Sequence, residues 1–104
     1  VRALPGGSPP MTSVLATYRA HPGRGDEVAA LLAHYQRLVR MEPGCRYFGA
    51  ARDPDDPDSF VLFEQYHSRE ALDSHVASAH YRDIAVGEIR PLLAERSVRL
   101  LEPL

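Results

Sequence analysis

An acid and a histidine that could perform acid–base chemistry lie close together in the second half of the chain. Glu64 follows the apolar run FVLF, which is typical of a strand, and His75 falls on the apolar side of the next helix. Burying both is costly unless they pair or do chemistry. A carboxylate bonded to one ring nitrogen leaves the other free as a base. We therefore predict that Glu64 and His75 are the catalytic pair, within hydrogen-bond reach directly or through one water. The alternative is a buried pair that only holds helix to strand.

Three further polar side chains near this pair are candidates to bind a substrate. Tyr66 lies on the same strand face as Glu64, and His80 and Tyr81 come in a short break after the helix. Their hydroxyl and ring N–H groups could stabilise an oxyanion, although a capping or surface role is the alternative for His80. His75 and His80 are five residues apart across the break, unlike the i, i+4 pair of a helical zinc site. We predict no metal and no organic cofactor.

The elements that position these residues alternate along the chain. A first helix has Asp26 as its expected N-cap and is stopped at Pro43-Gly44, and a second helical region opens at Ser68 and breaks at residues 78–80 before a further helical stripe. Strands are predicted at Ser13–Ala20, Cys45–Arg52, Ser59–Tyr66 and Arg96–Glu102. The order β-α-β-β-α-β predicts an α+β fold of the ferredoxin-like, split βαβ type.

The apolar pattern of the strands predicts a homodimer. Residues 60–63 are all apolar, as are Leu100 and Leu101. A sheet that is apolar on both faces needs cover on both. The helices of this topology cover only one face, so we expect a second copy on the other.

Composition and charge exclude several classes of protein. The 104-residue chain has a net charge of -2 and a pI near 6.2, so we expect no nucleic-acid partner. No apolar run approaches the roughly 20 residues that span a bilayer, and a single cysteine excludes an intrachain disulfide. We therefore expect no membrane partner and a cytoplasmic location. The absence of lysine excludes Schiff-base chemistry.

The segment FVLFEQYHSREALDSHVASAHY, preceded by EPGCRYF, resembles the antibiotic biosynthesis monooxygenase (ABM) domain family. The resemblance covers about residues 12–101. It rests on a glutamate in the third strand, a histidine in the next helix and a Ser-x-His-aromatic break, here Glu64, His75 and residues 78–81. It implies a dimeric α+β barrel. The chain then divides into a flexible tail (residues 1–11), with Met11 resembling a natural start, and an ABM-like domain (residues 12–104).

The resemblance also implies a function. The polyketide and haem branches of the family use a tryptophan and an asparagine, and this chain has neither, which favours the quinol-monooxygenase-like branch. We expect a cofactor-independent monooxygenase that oxidises a small quinol, phenolic or polyketide-like aromatic with O2. The alternative is a non-catalytic small-ligand-binding or stress-associated dimer of the same fold. An open cavity against His75 favours the enzyme, and a filled core favours the alternative.

Overall fold

The fold is a four-stranded antiparallel sheet with its helices on one face. The computed structural model describes residues 11–104, so the predicted tail, apart from Met11, lies outside the described residues. The strands are β1 (Thr12–Ala20), β2 (Cys45–Arg52), β3 (Ser59–Tyr66) and β4 (Leu93–Leu101), in the spatial order β2-β3-β1-β4. This order confirms the predicted α+β, ferredoxin-like topology.

Two α-helices and one π-helical stretch complete the fold. They are α1 (Gly25–Arg40), α2 (Arg69–Val76) and a π-helical stretch that we call the π segment (Tyr81–Ile89), followed by a 3-10 turn at Arg90–Leu92. The second helical region opens at Ser68, as predicted, and Ser68 caps α2: its hydroxyl accepts from the Ala71 N–H at 3.1 Å. Ser78 joins α2 to the π segment, since its hydroxyl donates to the His75 carbonyl (2.6 Å) and accepts from the Tyr81 N–H (3.3 Å).

The start of α1 differs from the sequence prediction. Asp26 is not the N-cap: it lies in the first turn and pairs with Arg52 at 2.8 Å. The free N–H groups at this end are instead satisfied by Asp58, whose carboxylate accepts from Gly23 (3.1 Å) and Gly25 (2.9 Å). Local spacing could not predict this cap because Asp58 reaches α1 from the β2–β3 turn.

The sheet has an inner face under the helices and an outer face that no element within residues 11–104 covers. β3 alternates between buried and exposed residues, so the apolar run at 60–63 places two side chains on each face. Inward-facing residues of β1 and β3 pack with α1 and the π segment in the main core, which contains Ala16, Tyr18, Val28, Leu32, Tyr35, Val39, Phe48, Phe60, Leu62, Ala85 and Ile89. On the outer face, Tyr47, Val61 and Phe63 are exposed.

The last strand begins earlier than predicted and is the least covered. β4 starts at Leu93 rather than Arg96, because Pro91 ends the helical stretch and the Leu92 carbonyl accepts from the His21 N–H at 2.8 Å. Its register aligns Val98 with Ala16 and Leu100 with Val14, which places both on the inner face. They nevertheless remain about half exposed, at 43% and 53%. The helices therefore leave a gap over β4.

Candidate active site

Glu42 is brought beneath α2 by the turn that ends α1. Its backbone N–H bonds to the Val39 carbonyl at 3.0 Å, which continues the last turn of the helix, and Pro43-Gly44 then redirects the chain into β2. The side chain is 14% exposed and points at the imidazole of His75. An acid from the first half of the chain thus enters the site.

His75 is the centre of the site and is held from both ring nitrogens. It is 3% exposed, with Nδ1 at 2.7 Å from Glu42 Oε2 and Nε2 at 3.2 Å from the Tyr35 hydroxyl. A carboxylate only accepts, so in the neutral imidazole Nδ1 carries the proton and Nε2 keeps a lone pair. Glu42 therefore fixes the tautomer in which Nε2 can act as a base.

Glu64 lies on the same side of the sheet as His75, as predicted; of the two predicted contacts, direct or through one water, the direct hydrogen bond is not formed. Its Oε1 is 3.8 Å from His75 Nε2, which exceeds hydrogen-bond distance. The Tyr66 hydroxyl donates to that oxygen at 2.5 Å. Burial raises the pKa of Glu64, while the Tyr66 hydrogen bond and His75 oppose this rise. Glu42, and not Glu64, is the acid that orients His75.

The three residues predicted to bind substrate occupy different positions. Tyr66 is fully buried, and its hydroxyl is engaged by Glu64. His80 Nε2 donates to Glu42 Oε2 at 2.5 Å, the same oxygen that His75 contacts. Tyr81 lines the cavity described below, and its hydroxyl accepts from Arg90 Nη2 at 2.6 Å. Tyr66 and His80 thus contact the site through Glu64 and Glu42, while Tyr81 forms part of its wall.

A cavity of about 330 Å³ lies against His75 on the inner face of the sheet. Its apolar floor comes from β1 and β3, and it opens where the helices leave β4 uncovered. The two sides of the opening are formed by β4 and by α2. The lining residues are Val14, Ala16, Tyr18, Tyr35, Leu62, Glu64, Arg69, Leu72, Asp73, His75, Val76, Tyr81, Arg96, Val98 and Leu100.

Tyrosine hydroxyls and one arginine make the walls of the cavity polar. Burial raises the pKa of Tyr18 and of Tyr35, so both hydroxyls stay protonated and can donate. Arg96 on β4 lies opposite Tyr18 in the sheet, and its positive charge opposes part of the rise in the Tyr18 pKa. Cys45, the one cysteine, lies outside this lining, and burial raises the pKa of its thiol to about 11. A thiol with such a pKa is a poor nucleophile at neutral pH.

Three side chains of the site have the donor atoms of a metal centre. One ligand atom from each of Glu42, His75 and His80 lies within 4.8 Å of the other two. The prediction of no metal site rested on the helical spacing of the two histidines and on the presence of a single cysteine. The third ligand comes from the turn after α1, which that reasoning did not consider.

The family of the chain follows from its sequence. The profile of the family described as antibiotic biosynthesis monooxygenase matches residues 11–86, which is more than half of the chain. The protein therefore belongs to the ABM family, as the resemblance indicated. The match includes Glu42, Glu64, His75 and His80.

Individual relatives agree with this assignment. The chain is 36% identical over 96 residues to the Mycobacterium tuberculosis protein named "Putative monooxygenase Rv0793", covering 88% of this chain and 90% of that protein. It is 28% identical over 106 residues to "Probable quinol monooxygenase YgiN" of Escherichia coli, covering 89% and 98%.

Solved structures share the fold. The structure of the Mycobacterium tuberculosis relative superposes with a TM-score of 0.82 at 34% identity, over 90% of this chain and 95% of that one. A Pseudomonas aeruginosa protein gives a TM-score of 0.86 at 25% identity, over 95% and 99%. Among residues 11–104, no helix is both long and apolar enough to cross a membrane.

Sequence reasoning missed three members of the site. Glu42 stands in the EPGC turn, where the only signal was its place beside a motif that resembled the family. Tyr35 lies on the apolar stripe of α1, which predicts a core aromatic. Arg96 lies in a strand, where its sequence context predicts only an exposed cation. Each comes from an element distant in sequence from α2, so their convergence on the cavity is a property of the fold.

Proposed function

We propose that this protein is a cofactor-independent monooxygenase that oxidises a small quinol or phenolic aromatic with O2. The observation that carries the proposal is an open cavity directly against His75, whose tautomer is fixed by a carboxylate. Relatives named as monooxygenases support the reaction class. A volume of about 330 Å³ lies at the lower end of ligand pockets, roughly 300–1,000 Å³, and suits a substrate of one or two rings.

Such a reaction balances without a further reductant. A hydroquinone and O2 give a hydroxyquinone and water: one oxygen atom enters the ring, the other leaves in water, and all four electrons come from the quinol. Removal of a phenolic proton makes the ring electron-rich enough to reduce O2. A ring carbon then bonds oxygen as a peroxide, which breaks at its O–O bond as water leaves. The protein must supply a base, a dry pocket and donors to the oxyanions.

His75 meets the requirements for the base. Its Nε2 has the lone pair that receives the phenolic proton, and the imidazolium that results lies between Glu42 at Nδ1 and Glu64 near Nε2. Two carboxylates stabilise this cation in a site of low dielectric. The Tyr35 hydroxyl, which now donates to Nε2, turns to the substrate oxygen as the proton arrives.

The remaining polar groups bind the oxyanions. The raised pKa values of Tyr18 and Tyr35 keep their hydroxyls protonated as donors, and Arg96 places a positive charge at the same wall. The apolar floor, which includes Val14, Ala16 and Leu62, excludes water from the ring and leaves room for O2.

The homodimer is part of the proposal. Tyr47, Val61 and Phe63 form an exposed apolar patch on the outer face, with the rings of Tyr47 and Phe63 at 6.0 Å. A patch of this kind marks an association surface. We expect the outer faces of two copies to pack together with a buried area above the roughly 1,600 Å² of a standard interface. Sedimentation equilibrium measures the oligomeric state, and a monomer at micromolar concentration contradicts the proposed homodimer.

Oxygen uptake tests the proposed reaction. Purified protein in buffer with a chelator is given a panel of quinols and anthrones under ¹⁸O2, and the products are analysed by mass spectrometry. We expect uptake above the rate of spontaneous oxidation and one ¹⁸O atom in each product molecule. Saturable binding of the same compounds without uptake would instead show the ligand-binding alternative. His34→Gln, on the exposed face of α1, is the matched control and should keep full activity.

A further inference from the structure

The structure assigns a second ligand to this region: we propose that Glu42, His75 and His80, here called the HEH cluster, bind a divalent transition-metal ion such as Zn²⁺. Their three ligand atoms lie within 4.8 Å of one another. Each side chain comes from a different part of the chain: the turn after α1, α2 and the break before the π segment. Two imidazoles and one carboxylate form a donor set that suits Zn²⁺, Fe²⁺, Co²⁺ and Ni²⁺ better than Mg²⁺ or Ca²⁺.

The hydrogen bonds of the HEH cluster already direct three ligand atoms at one point. His75 Nδ1 and His80 Nε2 contact the same oxygen, Glu42 Oε2, at 2.7 Å and 2.5 Å. Both N–H groups therefore donate to one carboxylate oxygen. When each imidazole carries its proton on its other nitrogen, lone pairs of His75 Nδ1, His80 Nε2 and Glu42 Oε2 point at one another. A cation can then occupy the place that the two N–H protons held.

Both histidines can hold the proton on the opposite nitrogen. His75 Nε2 has the Tyr35 hydroxyl at 3.2 Å, which then accepts the ring N–H in the way that partners of metal-bound imidazoles do. His80 is 22% exposed, so water can serve its other nitrogen. Glu64 near His75 adds negative charge that attracts a cation.

The spacing requires only a small adjustment. Ligand atoms on a tetrahedral zinc ion with bonds of about 2.0–2.1 Å are roughly 3.3 Å apart. Two of the present separations are shorter by about 0.6–0.8 Å, a distance that rotation of the half-buried Glu42 side chain can supply. A depression of about 330 Å³ lined by Glu42, Ser74 and Ser78 gives an ion access without passing the substrate cavity.

Metal binding removes the proposed base. An ion at Nδ1 places the ring proton on Nε2, which then has no lone pair for the substrate. The HEH cluster therefore inhibits oxygen uptake when it is loaded. This consequence rests on the proposed function, whereas the binding site itself does not.

Calorimetric titration of the full chain with Zn²⁺ tests the site independently of turnover. We expect one ion per chain, no binding of Mg²⁺ at the same concentration, and affinity at least about tenfold weaker in Glu42→Gln and in His80→Gln. His34→Gln, on the exposed face of α1, should bind Zn²⁺ like the wild type. Circular dichroism checks that the variants are folded. Equal Zn²⁺ affinity in wild type, Glu42→Gln and His80→Gln overturns the proposal.

A second measurement on the wild type needs no variant. Co²⁺ should replace Zn²⁺ and give visible absorption bands with nitrogen and oxygen ligands, which stoichiometric Zn²⁺ then abolishes. Absence of these bands at saturating Co²⁺ also overturns the site. If Zn²⁺ binds but an active enzyme keeps its oxygen uptake, the inhibitory role is wrong. If Zn²⁺ binds and no uptake is ever found, the HEH cluster stands while the proposed function fails.

Discussion

Two groups of carboxylates in this molecule carry the same chemical group and face opposite surroundings. Asp56 and Asp58 lie in the acidic turn between β2 and β3, where both accept backbone N–H groups and Asp56 also pairs with Arg19. Glu42 and Glu64 lie under α2, where histidines and a tyrosine are their partners. The Asp58 N–H bond, with Arg19, lowers the pKa of Asp56, whereas burial raises that of Glu64.

The two groups of carboxylates therefore differ in role: those in the turn support the backbone, and those under α2 belong to the candidate active site. Carboxylates in the turn accept backbone N–H groups and so stabilise backbone conformation, which requires only acceptors. Under α2, burial makes ionisation of Glu64 costly, and this carboxyl lies beside an imidazole that opens onto a cavity. A perturbed acid next to a cavity marks a functional site more reliably than the number of acids in a segment.

Replacing His75, the imidazole between Glu42 and Glu64, gives the largest expected effect on turnover. His75→Gln should lower turnover by about 10²–10⁴-fold, the usual contribution of a general base. Oxygen uptake at saturating substrate measures it, and the dimer should survive in sedimentation. Unchanged uptake in the folded variant would exclude His75 as the base.

Neutralising Glu42 and Glu64 one at a time ranks these two carboxylates by their contribution to turnover. Glu42→Gln should lower turnover by about tenfold or more, because the amide no longer stabilises the imidazolium at 2.7 Å and permits the wrong tautomer. Glu64→Gln should cost less, since its oxygen is 3.8 Å from the ring. The pH profiles of kcat for both variants check that the effect acts through His75. A larger loss in Glu64→Gln would restore Glu64 as the orienting acid.

Removing a carboxylate from the turn should affect stability alone. Asp58→Ala leaves the Gly23 and Gly25 N–H groups without their acceptor and should cost about 0.5–2 kcal/mol, as the loss of a helix cap does. In a domain of this size about 1 kcal/mol lowers Tm by roughly 4 °C. Thermal unfolding measures the loss. Changed turnover at 25 °C would contradict the division between the two groups.

The pH dependence of stability should have opposite signs in the two groups, and this is the smallest effect. The pKa of Glu64 is raised in the folded state, so the folded state loses stability as pH rises above about 4.5. Glu64→Gln lacks this titration and should become more stable relative to the wild type over the same range. The folded pKa of Asp56 is lowered, so its contribution is present above about 3.8 and is lost as pH falls. Asp56→Asn should therefore be less stable than the wild type at neutral pH and equally stable in acid. Urea unfolding across pH measures both, and parallel curves would contradict the assignment.

The elements of the fold could be predicted well from sequence because their signals are local. The turn-forming residues that flank them located β2 and β3 at their observed bounds, and the second helical region was correctly predicted to open at Ser68. Errors came where a distant residue replaced a local one. Asp58 caps α1 in place of Asp26, and a proline with a long-range backbone bond sets the start of β4.

The site was predicted in part. His75 and the side of the sheet that Glu64 occupies follow from helical and strand periodicity, which need only the neighbouring residues. The partner of His75 does not follow from periodicity, because Glu42 is 33 residues away in a turn. The cavity wall likewise depends on the register that brings Arg96 opposite Tyr18.

The sequence by itself determined the family, the order of elements and the histidine at the centre of the site, since apolar periodicity and short motifs are properties of contiguous residues. Only the tertiary structure decided which carboxylate holds His75, which hydroxyls face the cavity, and that three side chains from separate elements converge on one point. The physical reason is that hydrogen-bond geometry acts over about 3 Å, and only the folded chain brings Tyr35, Glu42, His75 and His80 within that distance.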